Sequence, residues 1–557
     1  MRERAQAWLP AAWAAVLALV LLGPALAPGF VLTYDMVWVP DLAVRPDVWG
    51  LGSGLPRAVP SDAVVALLDE LVPGALLQKL VLVGFLVAGG AGIARLVPGP
   101  PTERRAVRLV AVSAYVWTPF VAERLLLGAW PVLVAHALLP WLVLLGRRWR
   151  VTGRAPAALL VLVPLGCLSA SAGLATAVVL LAAVAGPRRP TLRAVALLVA
   201  ANAPWLVTGL LHAADATSDR AGAEAFALQG HGTLPTPLEA LALGGTWNSE
   251  VVLPSRDGIL AWVGLVLLAA LLLAVRGWWA ATSRREALTL VVPWAFGLSL
   301  ALLTWVAPGA VAWLAATVPG GGLVRDGARS LVLCAPLVAV LAAHAAARVA
   351  ARVVEEGPRL VLAGALALVP VMLMPDATFG LASRLEAVDY PASYAVARKA
   401  AAGVPGDALV LPLSSYRQPR WNGGRKVLDP LPRWLTSDVV ASDRLVVGTT
   451  VLQGEDPRVS AAADALAEST PEARAAALAD LGFGVVVVEL DAGEAPEVAG
   501  RVLLDGDLRV LALDRPDVRE VPAGWAVAAV VAWSAYAAGP ALALVLVVRR
   551  RRSDQRR

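Results

Sequence analysis

Cysteine, histidine and lysine are all scarce in this chain of 557 residues, which has two cysteines, four histidines and three lysines. Cys167 and Cys334 both lie inside apolar segments, so neither a disulfide framework nor a metal-ligand spacing is available, and we expect two small buried hydrophobic residues. The histidines show no paired spacing, and no Gly-rich phosphate loop, HExxH or GxSxG pattern occurs. The enzyme classes that depend on those motifs are therefore excluded.

Charged residues are also few, at 16%, whereas apolar residues make up 58% and the mean hydropathy is +0.68. Soluble domains are roughly 45–50% apolar, so this composition indicates a polytopic membrane protein. Twelve apolar runs are candidate membrane spans. The first run ends at Pro28, and the others cover residues 75–97, 107–122, 129–145, 156–168, 171–186, 192–211, 258–275, 287–306, 329–347, 359–374 and 522–548.

Two of these runs allow more than one interpretation. The first could be a secretory signal peptide with Ala25-Leu26-Ala27 as its cleavage site, but Pro28 should block cleavage, and about 20 apolar residues are enough to cross a bilayer. We therefore expect a retained anchor. The stretch 156–186 is interrupted by Ser169-Ala170-Ser171 and could form two short spans or one long one.

The distribution of arginine predicts the orientation. With the N-terminus inside, 25 arginines fall in cytoplasmic segments, against 8 lysines and arginines at or in the external loops. This asymmetry follows the positive-inside rule at every cytoplasmic turn only if 156–186 crosses twice. It predicts a multi-pass plasma-membrane protein with both termini in the cytoplasm. It also explains the net charge of +6 without a nucleic-acid partner.

The first polar interval between two spans, residues 30–74, is predicted to be the reactive loop. It carries three aspartates at intervals of six: Asp35, Asp41 and Asp47. Asp35 follows the first span by only a few residues, so its carboxylate should lie at the external membrane surface. After a Gly/Pro-rich turn, Ser61 and Asp62 offer a helix N-cap for an amphipathic surface helix. The apolar side of that helix comprises Val64, Val65, Leu67, Leu68 and Leu71.

Residues 375–521 predict a separate domain before the last span. Helix-like runs at 391–402, 459–469 and 471–482 alternate with β-branched runs at 408–413 and 485–490. The stretch VLLDGDLRVLAL predicts a hairpin that turns at Asp505-Gly506. The predicted fold is an all-α polytopic membrane bundle of about 12 transmembrane helices with a small extracytoplasmic α/β domain. Its divisions are the membrane module at 1–374, the external domain at 375–521, and the final helix with a basic cytoplasmic tail at 522–557.

Asp35 is the first candidate for chemistry, because a partly desolvated carboxylate can take a proton from a substrate hydroxyl. The alternative is a solvated loop acid or a helix-end cap. Arg325 and Arg329, four residues apart, share one face if the helix of the tenth span begins early. Two guanidiniums at an external helix N-terminus favour a phosphate. The alternative is a pair of snorkelling arginines bound to Asp326 or to lipid headgroups.

The short turn after the third span supplies two more candidates. Glu123 and Arg124 are expected to face other external loops, Arg124 as a further phosphate ligand and Glu123 as part of an acceptor site. A mutual ion pair without a catalytic part is the alternative. His136, inside the fourth span, is expected to be a hydrogen-bonded bundle residue.

Loop 212–257 has enough polar groups for an acceptor site, with His231 and Trp247 as its candidates. Aromatic belts at the membrane surface account for most of the 20 tryptophans. Trp38 and Trp247 lie on loops and could instead stack on sugar rings.

This arrangement resembles the glycosyltransferase C superfamily, which comprises integral membrane enzymes that use polyprenyl-phosphate sugars. The shared features are a retained first span, an early aspartate in the first external loop, a surface helix, about a dozen spans and a C-terminal external domain. The stretches GSGLPRAVPSDAVVALL, RLLLGAWPVLVAHALLPWLV and NAPWLVTGL look like the N-terminal membrane module of actinobacterial arabinofuranosyltransferases. The likeness covers most of residues 1–374.

The resemblance implies that Asp35, with Asp41 as second candidate, is the catalytic base of an inverting transfer from a polyprenyl-phosphate sugar to a cell-envelope glycan or glycolipid. Asp35 and Asp41 are six residues apart, unlike the adjacent acids or Asp-x-Asp of other members, so no metal or other cofactor is expected. The expected partners are the donor, the acceptor and membrane lipids.

Two alternatives belong to other functional classes. A transporter or flippase needs polar or ionisable residues at mid-bilayer, and the predicted spans are nearly devoid of them. A non-catalytic scaffold, with an external domain that binds a partner, predicts that Asp35 is dispensable.

Overall fold

Helices dominate the computed structural model, which describes residues 2–98, 105–214, 219–447, 450–452 and 454–554. Three of the predicted cytoplasmic arginines, at positions 104, 556 and 557, lie outside these ranges. The α-helices described before residue 375 are numbered α1 to α16: Arg2–Leu22, Ser61–Asp69, Gly74–Leu96, Arg105–Val116, Pro119–Leu126, Trp130–Thr152, Leu159–Gly166, Ala170–Val184, Arg188–Leu211, Arg220–Ala225, Thr236–Leu241, Ile259–Ala281, Arg284–Val306, Pro308–Thr317, Ala335–Ala350 and Glu356–Leu373.

Nine segments of the described chain are long and apolar enough to cross a membrane. They are Trp8–Leu26, Gly74–Leu96, Ala106–Leu126, Trp130–Thr152, Arg188–Leu211, Ile259–Ala281, Arg284–Val306, Glu356–Leu373 and Ala523–Arg549. A tenth is possible where the 3₁₀ helix Gly327–Leu333 and α15 meet at a bend of 46°. The predicted membrane bundle is present, but about 12 spans are not confirmed.

The stretch 156–186 accounts for two of the three predicted spans that are missing from the nine, and the bent pair at 327–350 is the third. Residues 156–186 form α7 and α8, which contain 8 and 15 residues. At ~1.5 Å per residue α7 is only ~12 Å long, well short of a ~30 Å hydrocarbon core. The Ser169 hydroxyl accepts a hydrogen bond from the backbone N–H of Ala172 and so caps α8. The interruption predicted here is therefore a real helix boundary.

The surface helix is present as α2, although its N-cap differs from the prediction. Pro60 occupies the cap position, and the hydroxyl of Ser61 instead donates a hydrogen bond to the carbonyl of Ala58. Leu67, Leu68 and Leu71 are all exposed to solvent or lipid, as the apolar side of an interfacial helix should be.

The region after residue 374 contains short helices, most of the strands and the last long helix. Its α-helices, α17 to α22, are Thr378–Ser383, which has left-handed backbone angles inside it, Ala392–Ala401, Leu431–Trp434, Pro457–Leu466, Pro471–Asp480 and Ala523–Asp554. The described strands β1 to β11 are Phe30–Val31, Ala387–Val388, Asp407–Leu411, Tyr416–Arg417, Val427–Leu428, Val439–Val440, Leu445–Val447, Thr450–Leu452, Phe483–Glu489, Arg501–Leu504 and Leu508–Ala512.

A five-stranded sheet in the order β10-β11-β9-β3-β6 forms the centre of this domain. β3 runs parallel to β6 and β9, and β11 runs antiparallel to β9 and β10, as the Asp505-Gly506 turn predicts. Alternate residues enter different cores: Leu409 packs among the domain's own helices, whereas Val410 belongs to the large core shared with the membrane helices. The sheet therefore lies between the two cores.

The domain is joined to the loop after the first span by strand pairing. β1, directly after the first span, pairs antiparallel with β2, so that Phe30 lies opposite Val388. The ring of Phe30 also lies 5.5 Å from that of Tyr390, which in turn contacts Trp421 and Trp434. These contacts place the domain directly over the loop that carries Asp35.

Candidate functional site

Asp35 lies at the tip of a tight turn just beyond the first span. The backbones of Thr33 and Met36 hydrogen-bond to each other across this turn, and Tyr34 inside it has a positive φ of 42°. Such a φ is uncommon for a residue other than glycine and is often found at functional sites. The side chain of Asp35 is exposed, so its carboxylate is accessible from solvent.

The turn between α5 and α6 supports Asp35 from the membrane module. The backbone N–H of Asp35 donates to the carbonyl of Leu127 at 3.1 Å. The next residue, Gly128, has a φ of 75°, and a Cβ there would lie 2.1 Å from the backbone nitrogen of Met36. Only glycine allows the two turns to approach this closely.

The C-terminal domain supports Asp35 from the other side. The phenol of Tyr416 donates a hydrogen bond of 2.6 Å to Oδ1 of Asp35. Burial and the negative charge of Asp35 raise the pKa of Tyr416 well above its ordinary value, while the positive charge of Arg329 acts on it in the opposite direction. Tyr416 therefore remains a donor to Asp35.

A second polar cluster surrounds Tyr34. Its phenol donates to the carboxylate of Glu250, which also forms an ion pair of 2.9 Å with Lys426. Arg384 donates to the backbone carbonyl of Glu250. The hydrogen bonds from Tyr34 and Lys426 lower the pKa of Glu250, whereas burial and the bonded Glu250 raise that of Tyr34. Loop 212–257 and the C-terminal domain thus meet beside Asp35.

Of the three arginines predicted to bind phosphate, Arg329 is the most accessible. Its side chain is 44% exposed, and its Nε lies 2.8 Å from Oδ2 of Asp326. The same oxygen accepts a hydrogen bond of 3.2 Å from Arg124, whose side chain is only 1% exposed. Burial opposes ionisation of Asp326, but the two guanidiniums outweigh it and lower the pKa of that carboxyl.

The burial of Arg124 corrects the prediction that it binds a phosphate. Arg124 lies in the last turn of α5, and its side chain is enclosed by the packed helices. It therefore neutralises the buried carboxylate of Asp326 and does not reach solvent. Arg325 also differs from the prediction. The helix after it is a 3₁₀ helix that begins at Gly327, so Arg325 and Arg329 do not share a helix face. Arg325 instead pairs with Glu455 at 3.1 Å.

Asp41 and Trp38 also differ from the prediction. Asp41 is exposed, but its carboxylate forms an ion pair of 2.7 Å with Arg398, so the C-terminal domain holds it separately from Asp35. Trp38 is 3% exposed, and its ring lies 5.1 Å from that of Trp130. A loop position did not guarantee an accessible ring, because the loop folds back into the core.

Glu123 is buried, which corrects its predicted role in an acceptor site. It lies under loop 212–257, where a Cβ at Gly244 would be 3.2 Å from a carboxylate oxygen of both Glu123 and Glu239. Glu239 forms a buried ion pair of 2.6 Å with Arg256. These charges stabilise the base of the loop and are shielded from a soluble acceptor.

His231 and Trp247, the two candidates on loop 212–257, lie next to each other. A ring nitrogen of His231 is 2.9 Å from the carbonyl oxygen of Trp247. The half-buried ring of Trp247 packs edge-on against the ring of Phe226, with centroids 4.7 Å apart. The guanidinium of Arg325 lies over the Phe226 ring, 4.8 Å from its centroid. Of these residues, His231 is exposed, Trp247 is half-buried and Phe226 is buried.

The residues that sequence analysis missed come mainly from the C-terminal domain. Tyr416 lies 381 positions from Asp35, and Lys426 lies 176 positions from Glu250. Their strands, β4 and β5, contain two residues each, which is too short for a periodic pattern. No signal in a single sequence could have joined them to the loop. Among the residues that the structure describes, no group of three His, Cys, Asp or Glu could hold a metal ion.

Comparison with known proteins gives a match at the level of structure. No protein-family model matches the sequence, and no curated protein matches it. The structure of arabinofuranosyltransferase AftD from mycobacteria matches with 19% identity and a TM-score of 0.55, over 93% of this chain. A mutant form of the same protein matches with 18% identity and a TM-score of 0.51, over 91% of this chain. The chain spans about 40% of AftD's length. The resemblance predicted from the sequence is confirmed as a shared fold over nearly the whole of this chain.

Proposed function

We propose that this chain is a membrane glycosyltransferase of the cell envelope. It moves a sugar from a polyprenyl phosphate to a glycan or lipid acceptor on the extracytoplasmic side. The observation that carries this proposal is the position of Asp35, which is an exposed carboxylate held from two sides just beyond a membrane span. Arg329, the most accessible of the three arginines predicted to bind phosphate, is proposed as the anion-binding group of the same site.

The proposed reaction is a single displacement at the anomeric carbon of the donor. Asp35 takes the proton from an acceptor hydroxyl as the hydroxyl oxygen forms a bond to that carbon. The bond from the anomeric carbon to the phosphate oxygen breaks, and its electron pair leaves with the polyprenyl phosphate. Arg329 stabilises the negative charge of the phosphate through charge-assisted hydrogen bonds. Attack opposite the leaving group inverts the anomeric centre.

The acceptor is proposed to lie along loop 212–257. Trp247 offers an apolar ring face of the kind on which sugars stack, and His231 offers a polar group next to it. Both belong to the loop whose Glu250 is bonded to Tyr34, the residue before Asp35. An acceptor bound there can reach the proposed base.

The membrane provides the lipid part of the proposal. The exposed leucines of α2 allow this helix to lie in the interface beside the Asp35 loop. The polyprenyl chain can then remain in the bilayer while its phosphate reaches Arg329. The resemblance to an arabinofuranosyltransferase makes arabinofuranose the first sugar to test.

The test uses the purified full chain in lipid nanodiscs with polyprenyl-phosphoryl arabinofuranose and a short arabinan acceptor. We expect polyprenyl phosphate to appear only when acceptor is added, together with an acceptor longer by one sugar. Heat-inactivated protein is the control. In proteoliposomes, movement of intact donor between leaflets without product would favour the transporter. Absence of both product and movement would favour the scaffold.

A further inference from the structure

The carboxylate of Asp35 receives its side-chain hydrogen bond from the C-terminal domain. The Tyr416 phenol reaches Oδ1 at 2.6 Å across 381 positions of sequence. The rings of Tyr416 and Tyr34 also pack edge-on, with centroids 5.8 Å apart. The domain that follows the membrane bundle therefore contributes directly to the proposed site.

Backbone pairing fixes the position of Tyr416 relative to Asp35. The two-residue strands β4 and β5 pair antiparallel, with Tyr416 opposite Leu428. Tyr34 then adds to the free edge of β5: its N–H donates to the carbonyl of Lys426 at 2.8 Å, and its carbonyl accepts from Leu428 at 2.7 Å. Asp35 and Tyr416 thus extend from two edges of one small ribbon.

The next residue, Arg417, ties this ribbon to the core of the domain. Its buried guanidinium forms ion pairs of 2.9 Å with Asp429 and 2.5 Å with Glu489, at the end of β9. It also donates to the carbonyls of Pro412 and Ser414. Because breaking a buried ion network is costly, the ribbon is held rigidly, and so is the Tyr416 phenol.

We propose that Tyr416 is a positioning residue that orients Asp35 for proton transfer, so that the C-terminal domain completes the active site. The phenol occupies Oδ1 and leaves the second oxygen to take the proton of the acceptor hydroxyl. The Leu127 carbonyl fixes the backbone of the same aspartate from the membrane side. This inference rests on the proposed transferase function.

A double-mutant cycle in the nanodisc assay tests the inference, with polyprenyl-phosphoryl arabinofuranose as donor. Tyr416→Phe removes only the hydroxyl. We expect kcat to fall about tenfold to a hundredfold, as for a misplaced catalytic group, with little change in the KM of the donor. Because Tyr416 acts through Asp35, the double variant Asp35→Asn/Tyr416→Phe should be no slower than Asp35→Asn alone.

Tyr536→Phe is the matched control. It removes a phenol that donates to the carbonyl of Pro164 at 3.1 Å, in the last long helix and outside the Arg417 network, so kcat should stay near wild type. If Tyr416→Phe keeps the wild-type kcat, or if its loss multiplies with that of Asp35→Asn, the positioning role is wrong while the proposed transferase stands. If Asp35→Asn itself transfers at the wild-type rate, the assignment of the base fails, and the positioning role with it.

Discussion

Arg325 and Arg329 were both predicted from the sequence to bind a phosphate, but in the structure they have different partners. Arg325 is 24% exposed and pairs with Glu455 at 3.1 Å, whereas Arg329 is 44% exposed and shares its partner Asp326 with the buried Arg124. We predict that Arg329→Ala weakens donor binding and that Arg325→Ala does not. The two variants remove the same charge four residues apart, so each controls for the other.

The size of the effect follows from the kind of contact that is lost. Hydrogen bonds to charged groups contribute ~1.5–3 kcal/mol, and the dissociation constant changes tenfold for every ~1.4 kcal/mol. The exposure of Arg329 favours the lower end of this range because solvent and salt screen its charge. We therefore expect the Kd for the donor to rise about tenfold. The fold should survive, because Arg124 remains 3.2 Å from the buried carboxylate of Asp326.

Binding of a fluorescent polyprenyl phosphate to nanodiscs measures this effect without requiring catalysis. Arg329→Lys keeps the charge but loses the Nε contact to Asp326, so it should fall between wild type and Arg329→Ala. Rising salt should narrow the difference between wild type and Arg329→Ala. Equal losses for Arg325→Ala and Arg329→Ala, or no loss for either, would refute the assignment of the phosphate to Arg329.

Three further predictions concern the framework of the site. Gly128→Ala should lower the free energy of unfolding by more than the ~1–2 kcal/mol strain of a left-handed residue, because its Cβ meets Met36, and it should also lower the rate of transfer. Gly153→Ala, also at positive φ but with open space around it, should lose only that strain energy, as measured by thermal unfolding. Burial, with the charges of Asp47 and Asp407, raises the pKa of Asp438 to about 6, so folding stability should fall as the pH rises from the ordinary aspartate value of 3.8 towards 6, and Asp438→Asn should flatten this slope; equal slopes would contradict it. A cysteine at Gly403 should react with an impermeant thiol reagent in intact cells, whereas one placed after Arg549 should not. The native Cys167 and Cys334 are buried and should not add to the signal, and the reverse labelling would contradict the predicted orientation.

The sequence predicted those parts of the fold that local patterns determine. The run Val485 to Val488 and the Asp505-Gly506 turn predicted a strand and a hairpin correctly, because β-branched residues and an Asp-Gly turn act over a few positions. Hydropathy and the Ser169-Ala170-Ser171 interruption located both helices of 156–186, but not that α7 and α8, with 8 and 15 residues, are shorter than the ~20 residues of a typical span.

The candidate site was predicted less completely, because burial and distant contacts decide it. Asp35 could be singled out by its position next to a span. The burial of Arg124 and Trp38 follows from how the loops pack, and local polarity does not reveal this. Tyr416 reaches Asp35 only where the folded C-terminal domain packs on the loop, and a two-residue strand leaves no pattern in the sequence that would predict this contact.

The central claim is that Asp35 is the base that accepts the proton of the acceptor hydroxyl. Its most direct test is the initial rate of sugar transfer by Asp35→Asn, which keeps the size of the side chain and removes the basic carboxylate. We expect a loss of about a hundredfold or more, with donor binding and assembly near wild type. Asp41→Asn and Asp47→Asn, whose carboxylates are already paired with Arg398 and Arg45, should transfer near the wild-type rate. A wild-type rate for Asp35→Asn, or a comparable loss in Asp41→Asn alone, would contradict the claim.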